Sequence, residues 1–262
     1  MRADSNGVGL NFEAAGEAGP AVLLVHGLGG SLRQWHGVAA LLSPVCRVVI
    51  PDLRGHGASD KPPSGYSIKG FADDLAAVCR SAGVERCVAV GASFAGAVVL
   101  QMAADHPALV RGVVSVGGFA AMGPAGRDRM SQRAAAVEER GMEAVADAVL
   151  AAALGPTTHA ANPALVGLSK AMLLENDPRA YAACARAVAS ADVTAALGRV
   201  KCPAMLVFGT EEKVAPLPAQ IELRRALPQA VLRAIPRAGH LPFLEQPDAF
   251  TAALMEFVGA LP

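Results

Sequence analysis

The chain has 262 residues, with 23 basic and 23 acidic side chains, and this balance excludes the strongly basic surface of a nucleic-acid-binding protein. No uninterrupted apolar run reaches the roughly 18 residues that a transmembrane helix needs, so no membrane partner is expected. The first residues lack the apolar segment of a signal peptide, and the five cysteines are scattered singly. We therefore expect reduced thiols in the cytoplasm, and neither a metal nor another cofactor.

The first part of the chain alternates apolar runs with helical segments. Asn6-Gly7 predicts a tight hairpin turn with positive φ, ahead of an early strand. Continuous apolar runs such as Ala21–Val25 are typical of strands that are buried on both faces of a parallel sheet. Strands are predicted at residues 8–14, 21–25, 47–50 and 110–116, with another beginning at Cys87.

The pattern changes at about residue 121, where a stretch that is almost entirely helical begins. Strands are again predicted at 204–208 and 231–235, each followed by a loop and a helix. Alternation of this kind predicts an α/β fold, with a mostly parallel sheet and helices on both faces. The helical insertion is expected to form a lid over the carboxyl ends of the strands. The predicted division is a core of residues 1–120 and 198–262 and a cap of residues 121–197.

A serine surrounded by small residues follows the run that begins at Cys87. Ser93 lies in Gly91-Ala92-Ser93-Phe94-Ala95-Gly96, between an apolar run and a helix-forming segment. This layout is typical of a nucleophile elbow, a tight strand-to-helix turn with a strained serine. The alternative is that Ser93 is only the N-cap of the helix.

A serine nucleophile needs a histidine base, which is itself oriented by a carboxylate. Six histidines are present, and only His240, in the loop after the last strand, fits the chain order serine, acid, histidine. The carboxylate is expected in the loop after the strand that ends at Phe208, where Glu211 and Glu212 are adjacent. The alternatives are a histidine that caps the last helix and two solvated glutamates paired with Lys213.

Hydrolysis through a tetrahedral intermediate also needs backbone donors for the oxyanion. The amide of Phe94 and the amide of Leu28, in the glycine-rich loop that starts at His26, are the predicted donors. The same loop could instead cradle a phosphate, but it lacks the GxGxxG and GKS patterns of such loops.

Four sequence blocks, taken together and in this order, resemble the α/β-hydrolase superfamily along nearly the whole chain. The blocks are His26–Ser31, Asp52–Asp60, Gly91–Gly96 and Gly239–Pro247. The family's acid position falls on Glu212, where aspartate is usual, and Glu211 is the reserve. In the insertion, segments 141–150 and 176–184 are similar to those of 3-oxoadipate enol-lactonases and related small esterases.

The resemblance implies a serine hydrolase that cleaves an ester or lactone of a small molecule through an acyl-enzyme on Ser93. The alternative is a non-hydrolytic member of the fold: a small-molecule receptor, or a cofactor-free haloperoxidase-like or oxygenase-like enzyme. Weaker candidates for the substrate pocket are Trp35, Arg33, Arg54 and Phe119. Core packing for the tryptophan and surface exposure for the arginines are the competing interpretations.

Overall fold

The computed structural model describes residues 1–262 and contains one eight-stranded sheet. The strands are β1 (Arg2–Ser5), β2 (Val8–Ala15), β3 (Ala21–Val25), β4 (Arg47–Pro51), β5 (Cys87–Ala92), β6 (Val110–Val116), β7 (Ala204–Gly209) and β8 (Ala230–Ile235). Their order across the sheet is β1-β2-β4-β3-β5-β6-β7-β8. The β1–β2 and β2–β4 pairs are antiparallel, and every other pair is parallel. The predicted α/β fold with a mostly parallel sheet is confirmed.

The antiparallel edge begins with the predicted hairpin. Asn6 and Gly7 have φ of 53° and 82°, which is the pairing of positive dihedrals that a two-residue type I′ turn requires. The first strand of this hairpin, β1, has only four residues.

Helices cover both faces of the sheet. They are α1 (His36–Leu42), α2 (Ile68–Ser81), α3 (Phe94–Asp105), α4 (Pro124–Arg140), α5 (Glu143–Ala153), α6 (Pro156–Ala161), α7 (Pro163–Leu174), α8 (Pro178–Ala189), α9 (Thr194–Leu197), α10 (Leu217–Ala226), α11 (Pro242–Glu245) and α12 (Pro247–Gly259), with a 3₁₀ turn at Leu32–Trp35.

Strand β5 shows how the sheet divides the core. All its residues are buried, and successive side chains point to opposite faces. Cys87 and Ala89 join the apolar cluster formed with α2 and α3, whereas Val88 and Val90 join the cluster formed with α1 and α12. A strand that is covered on both faces has no polar side to expose, which explains its continuous apolar sequence.

Six helices, α4 to α9, are inserted between β6 and β7, and we call residues 121–197 the cap. Four of these helices begin with proline at the first position, where a missing N–H costs nothing because that amide has no intrahelical acceptor. The two chain crossings at the base of the cap pair with each other. The amide of Val193 donates to the carbonyl of Ala120 (2.7 Å), and that of Met122 donates to the carbonyl of Ala191 (3.0 Å).

No helix combines the length and the apolar character needed to cross a membrane. All five cysteines are free thiols, and four of them are buried.

The parallel strands all end at the same edge of the sheet. Consequently, the loops after β3, β5, β6, β7 and β8 converge there, although they are far apart in the chain. These loops contain His26, Ser93, Gly117, Glu212 and His240, in that order. Such an edge is where open α/β sheets bind ligands.

Candidate active site

Ser93 occupies a strained turn between β5 and α3. Its φ of 57° and ψ of −126° are unfavourable for a residue with a side chain, and strain of this kind costs of order 1–3 kcal/mol. The turn is held by the Ser93 amide, which donates to the carbonyl of Val116 on the neighbouring strand (2.7 Å). Ser93 thus has the backbone geometry predicted for a nucleophile elbow.

Small residues around the turn are required by close backbone contacts. A Cβ on Gly91 would lie 2.1 Å from the carbonyl oxygen of Ala95, and one on Gly96 would lie 2.3 Å from the hydroxyl of Ser115. No side chain fits at such distances without moving the backbone or the serine. This explains why α3 can begin directly after Ser93 and pack against β6.

His240 and Glu212 form a buried pair. The Nδ1 atom of His240 lies 2.7 Å from Oε2 of Glu212, and the two side chains are 6% and 2% exposed. Because a carboxylate can only accept, Nδ1 carries the proton in the neutral imidazole and Nε2 is left as the acceptor. This Nε2 atom is buried and has no hydrogen-bond partner in the chain, Ser93 included, so its lone pair is free to accept a proton.

The other oxygen of Glu212 is also occupied. Its Oε1 accepts hydrogen bonds from the amides of Val214 (2.6 Å) and Ala215 (3.1 Å), two and three residues further along the loop. Burial of the Glu212 carboxyl opposes ionisation, but the charge and hydrogen bond of His240 and these two amides outweigh it. The net effect lowers the pKa of Glu212, so the group remains an anion beside the imidazole.

Glu211, the reserve acid, points elsewhere. Its Oε2 accepts from the amide of Thr157 in the cap (3.0 Å), and its Oε1 accepts from the hydroxyl of the same threonine. Of the two adjacent glutamates, Glu212 is the one that contacts His240.

The end of β6 brings Ser93 and His240 to the same place. A Cβ on Gly117 would lie 2.7 Å from Nδ1 of His240, and one on Gly118 would lie 3.4 Å from the carbonyl oxygen of Ser93. Two successive glycines therefore separate the nucleophile turn from the histidine–glutamate pair, and both leave room for close contact. Gly117 adopts φ of 58°, which glycine tolerates without strain.

The loop after β3 lies against the serine. A Cβ on Gly27 would lie 3.1 Å from Cβ of Ser93. The amide of Gly30 donates to the carbonyl of Gly27 (3.1 Å), and Gly29 has φ of 75°, as expected for the third residue of a type II turn. The Leu28 amide donates to no group in the chain.

The second predicted oxyanion donor is at the start of α3. Phe94 is the first residue of this helix, and the first four amides of a helix have no intrahelical acceptor. The amides of Leu28 and Phe94 thus belong to segments on either side of Ser93, and their role as oxyanion donors is a prediction.

Two buried histidines connect the loops after β3 and β4. His26, in the first loop, accepts through Nε2 from the amide of Leu53 (3.1 Å), and His56, in the second, accepts through Nε2 from the amide of Gly29 (3.1 Å). Asp52 adds a third link, accepting from the amide of Leu32 (2.8 Å). These side chains fix the loop that contains Leu28 rather than take part in proton transfer.

Both imidazoles need to be neutral to accept at Nε2. Burial lowers the pKa of His26, although Asp52 partly opposes this. Burial and the neighbouring His26 lower the pKa of His56 to about 3. The second histidine therefore keeps its hydrogen bond to Gly29 in mildly acidic solution.

Three of the four predicted pocket residues are corrected by the structure. Trp35 is fully buried in the core and stacks on Phe243, with 3.8 Å between ring centroids. Arg33 is on the surface and pairs with Glu175 of the cap (2.7 Å).

Arg54 is the third correction. It forms a buried bidentate pair with Asp74 (2.5 and 2.6 Å), and its remaining Nη1 donates to the carbonyl of Gly65 (2.8 Å). Three of the five N–H donors of this guanidinium are thus used within the protein. Phe119, the fourth candidate, directly follows Gly117-Gly118, is partly buried and packs against the main apolar cluster.

Two residues at the site were missed by the sequence analysis. Glu245 accepts hydrogen bonds from residues on both sides of His240 and from the cap. Asn176 of the cap donates to the carbonyl of Gly29 (2.9 Å). Glu245 lies inside the sequence block Gly239–Pro247, and its position there was the available signal. Asn176 gave no such signal, because its partner Gly29 lies 147 residues away.

One surface cavity of about 440 Å³ is not at this site. It lies at the opposite edge of the sheet, beside the first residues of β3 and β4, and is lined by Arg47, Arg86 and Arg111. Open α/β sheets bind ligands at the carboxyl ends of their strands. The loops around Ser93 are therefore the better candidate.

Comparison with known proteins identifies the family. A family model described as the alpha/beta hydrolase fold matches residues 20–247. The chain is 27% identical over 248 residues to 3-oxoadipate enol-lactonase 2 of Acinetobacter baylyi, covering 94% of this chain and 92% of the relative. It is 29% identical over 245 residues to RutD of Shigella flexneri, a proposed carbamate hydrolase by its name, covering 92% of each.

A solved structure supports the same assignment. The thermophilic esterase from Thermogutta terrifontis superposes with a TM-score of 0.92 at 28% identity, covering 99% of this chain and 97% of the esterase. The resemblance predicted from the four sequence blocks is confirmed, and hydrolase activity follows at the level of the family. This chain belongs to the α/β hydrolase family.

Proposed function

We propose that this protein is a serine hydrolase that cleaves a carboxylic ester or lactone of a small molecule. The observation that carries the proposal is the buried contact between His240 Nδ1 and Glu212, which leaves Nε2 unpaired at the edge of the sheet where Ser93 lies. An esterase and an enol-lactonase among the similar proteins support the same bond type.

In the proposed reaction, the Ser93 hydroxyl attacks the carbonyl carbon while Nε2 of His240 accepts its proton. The Glu212 carboxylate stabilises the imidazolium that forms, and the amides of Leu28 and Phe94 donate to the oxyanion. The imidazolium then protonates the leaving alkoxide, which leaves an acyl-enzyme on Ser93. A water molecule, deprotonated by His240, attacks this ester, and collapse of the second intermediate releases the acid and restores the serine.

Glutamate in place of the usual aspartate is compatible with this mechanism. The additional methylene of Glu212 is accommodated by a tight loop, in which its own amide donates to the carbonyl of Gly209 (3.2 Å). Its carboxylate still reaches His240 at 2.7 Å. The histidine would thus be oriented as it is in an aspartate triad.

The substrate class is left at small esters and lactones. Arg33 and Arg54 are both held by acidic residues of the protein, so neither supports recognition of a substrate carboxylate. We take the cap of residues 121–197 as the part that shapes the pocket. Its likeness to enol-lactonases rests on segments 141–150 and 176–184, which leaves the acyl and alcohol groups open. The free cysteines support action in a reducing compartment such as the cytoplasm.

Ser93→Ala tests the proposal. We expect the substitution to lower kcat for an activated short-chain ester by at least ~10⁴-fold and to abolish labelling by a fluorophosphonate probe. The melting temperature should change little, because alanine has the same strain at positive φ as serine. The matched control is Ser190→Ala, at the exposed end of α8, which should hydrolyse and label like the wild type.

Absence of both labelling and hydrolysis in the folded wild type, across a panel of aryl esters, lactones and carbamates, would contradict the proposal. That result would favour the alternative, a small-molecule receptor or another non-hydrolytic member of the fold.

A further inference from the structure

One corner of the cap contacts the backbone of the histidine loop, which we define as residues 236–241 between β8 and α11. This cap corner consists of residues Ala153–Thr158: the last residue of α5, the turn after it and the start of α6. The amide of His240 donates to the carbonyl of Ala153 (2.8 Å), so the backbone of the proposed base is bonded to the cap and not to the sheet.

Two glycines allow the loop and the corner to approach this closely. A Cβ on Gly239 would lie 2.5 Å from the amide nitrogen of Gly155 and 2.9 Å from the carbonyl oxygen of Ala153. A Cβ on Gly155 would lie 3.0 Å from the amide nitrogen of Gly239. The two backbones are in van der Waals contact, and any side chain at either position would separate them.

Glu245 joins the same two segments with both of its oxygens. Oε1 accepts from the amides on either side of His240, those of Gly239 (2.8 Å) and Leu241 (3.3 Å). Oε2 accepts from the amide of Gly155 (2.7 Å) and the hydroxyl of Thr158 (2.6 Å) in the cap corner. One carboxylate therefore makes four hydrogen bonds, two to the histidine loop and two to the cap.

The loop of the proposed acid is bonded to the same corner. Glu211, next to Glu212, accepts from the amide of Thr157 (3.0 Å) and from its hydroxyl. The amide of Glu211 donates to the carbonyl of Ala238 in the histidine loop (2.8 Å). Both loops that provide the His240–Glu212 pair are thus held by six consecutive residues of the cap.

We propose that the cap corner, acting through Glu245, positions His240 for proton transfer; this inference rests on the proposed function. Proton transfer between Ser93 and Nε2 requires a donor–acceptor distance of about 2.6–3.2 Å, and a displacement of about 1 Å can cost 10²-fold in rate. Glu245 and Thr158 are positioning residues, since they act on the base through its backbone.

Three substitutions distinguish the hydrogen bonds of Glu245 to the cap corner (the cap end) from those to the histidine loop (the loop end). Thr158 is buried, and Thr158→Val removes the hydroxyl with little change in shape, which weakens only the cap end. Thr158→Ser restores the hydroxyl. Glu245→Gln weakens the contacts at both ends. All four bonds to Glu245 are donated to it, and an amide can accept at only one atom, so its NH₂ group would face two donors. The control is Glu256→Gln, a surface glutamate paired with Arg233.

We expect Thr158→Val to lower kcat by about 3- to 10-fold, a factor that corresponds to the free energy of one hydrogen bond. Glu245→Gln should lower kcat by about 10- to 100-fold, because it disturbs both segments. KM should change less than kcat, and Thr158→Ser should recover most of the loss. The downfield NMR signal of the His240 Nδ1 proton, assigned by its loss in Glu212→Gln, should broaden in Thr158→Val and Glu245→Gln. It should stay sharp in Thr158→Ser and Glu256→Gln.

A residue that only stabilises the fold would lower the melting temperature and leave both kcat per folded molecule and the Nδ1 signal unchanged. That outcome for Thr158→Val and Glu245→Gln would overturn the inference. If the wild type were neither hydrolytic nor labelled by a fluorophosphonate, the proposed function would fail. The Nδ1 signal would still report whether the cap corner holds the histidine.

Discussion

The loop after β3 and the histidine loop lie on two sides of Ser93 and are held by different parts of the molecule. We call the first the oxyanion loop, after the predicted role of its Leu28 amide. The first is fixed mainly within the core: His56 and Asp52 accept its amides, and its own His26 accepts the amide of Leu53. Asn176 adds one contact from the cap. The second is fixed by carboxylates and by the cap corner. Changes in the cap should therefore disturb the base more than the oxyanion donors.

The largest effect is expected at the contact between Glu212 and the histidine loop, from Glu212→Gln. The amide can donate to Nδ1 and stabilise the wrong tautomer, so Nε2 would carry the proton and no longer act as a base. We expect kcat to fall by about 10³- to 10⁴-fold with little change in KM. The measurement is steady-state hydrolysis of an activated ester, with the downfield Nδ1 signal as a structural check.

The contrasting variant is Glu211→Gln, which alters the neighbouring carboxylate that contacts Thr157 rather than His240. It should cost far less activity. If Glu211→Gln were the more damaging of the two, the assignment of Glu212 as the acid would be wrong.

A smaller loss is expected at the oxyanion loop, from Gly29→Ala. Alanine is strained at φ of 75°, and its Cβ would lie 2.5 Å from Leu173 and 2.9 Å from Tyr181. The turn would shift and displace the Leu28 amide. We therefore expect kcat to fall by about 10²- to 10³-fold, as is typical when one oxyanion donor is removed. Gly167→Ala, in open space on α7, is the control and should retain normal kcat.

In Gly29→Ala, the His240 Nδ1 signal should remain sharp, because the two loops are held separately. Equal broadening in Gly29→Ala and Glu245→Gln would show that the two loops respond as one unit and are not held separately.

The smallest effect concerns pH and stability at the oxyanion loop. The pKa of His56 is about 3 in the folded protein, against about 6.5 for an unperturbed histidine. Between these values the unfolded chain binds one more proton, so the free energy of unfolding falls as pH falls from about 6.5 towards 3. His56→Gln should reduce this slope by about 1.4 kcal/mol per pH unit.

Urea unfolding at pH 6.5, 5.5 and 4.5 measures this slope. His36→Gln, an exposed histidine paired with Glu13, serves as the control and should change the slope much less. An unchanged slope in His56→Gln would mean that His56 becomes protonated in the folded protein, and that neutral imidazoles do not hold this loop at acid pH.

The fold and the order of the site residues were predictable because their signals are local. An apolar run, a small-residue turn and a terminal histidine each depend on neighbouring residues, and their order fixes the topology. The choice of Glu212 over Glu211 came only from the family's pattern, since 28 residues separate Glu212 from His240.

Three of the four pocket candidates failed because their partners are distant in the chain. The partner of Arg33 is Glu175, that of Arg54 is Asp74, and that of Trp35 is Phe243. Nothing near these residues in the sequence distinguishes a side chain committed to a protein partner from one available to a substrate. The same reason hid the role of Glu245, whose cap contacts lie 87 and 90 residues away.

The paired chain crossings at the base of the cap have a consequence for engineering. Because Ala120 and Val193 are hydrogen-bonded neighbours, a short turn could in principle join them and leave the eight strands connected. The cap would therefore be an exchangeable module for recombination between homologues. The contacts at Ala153–Thr158 limit that freedom. A transplanted cap would need residues that bind Glu245 and pack against Gly239. Without them, the hybrid protein would fold with His240 displaced from its position beside Ser93.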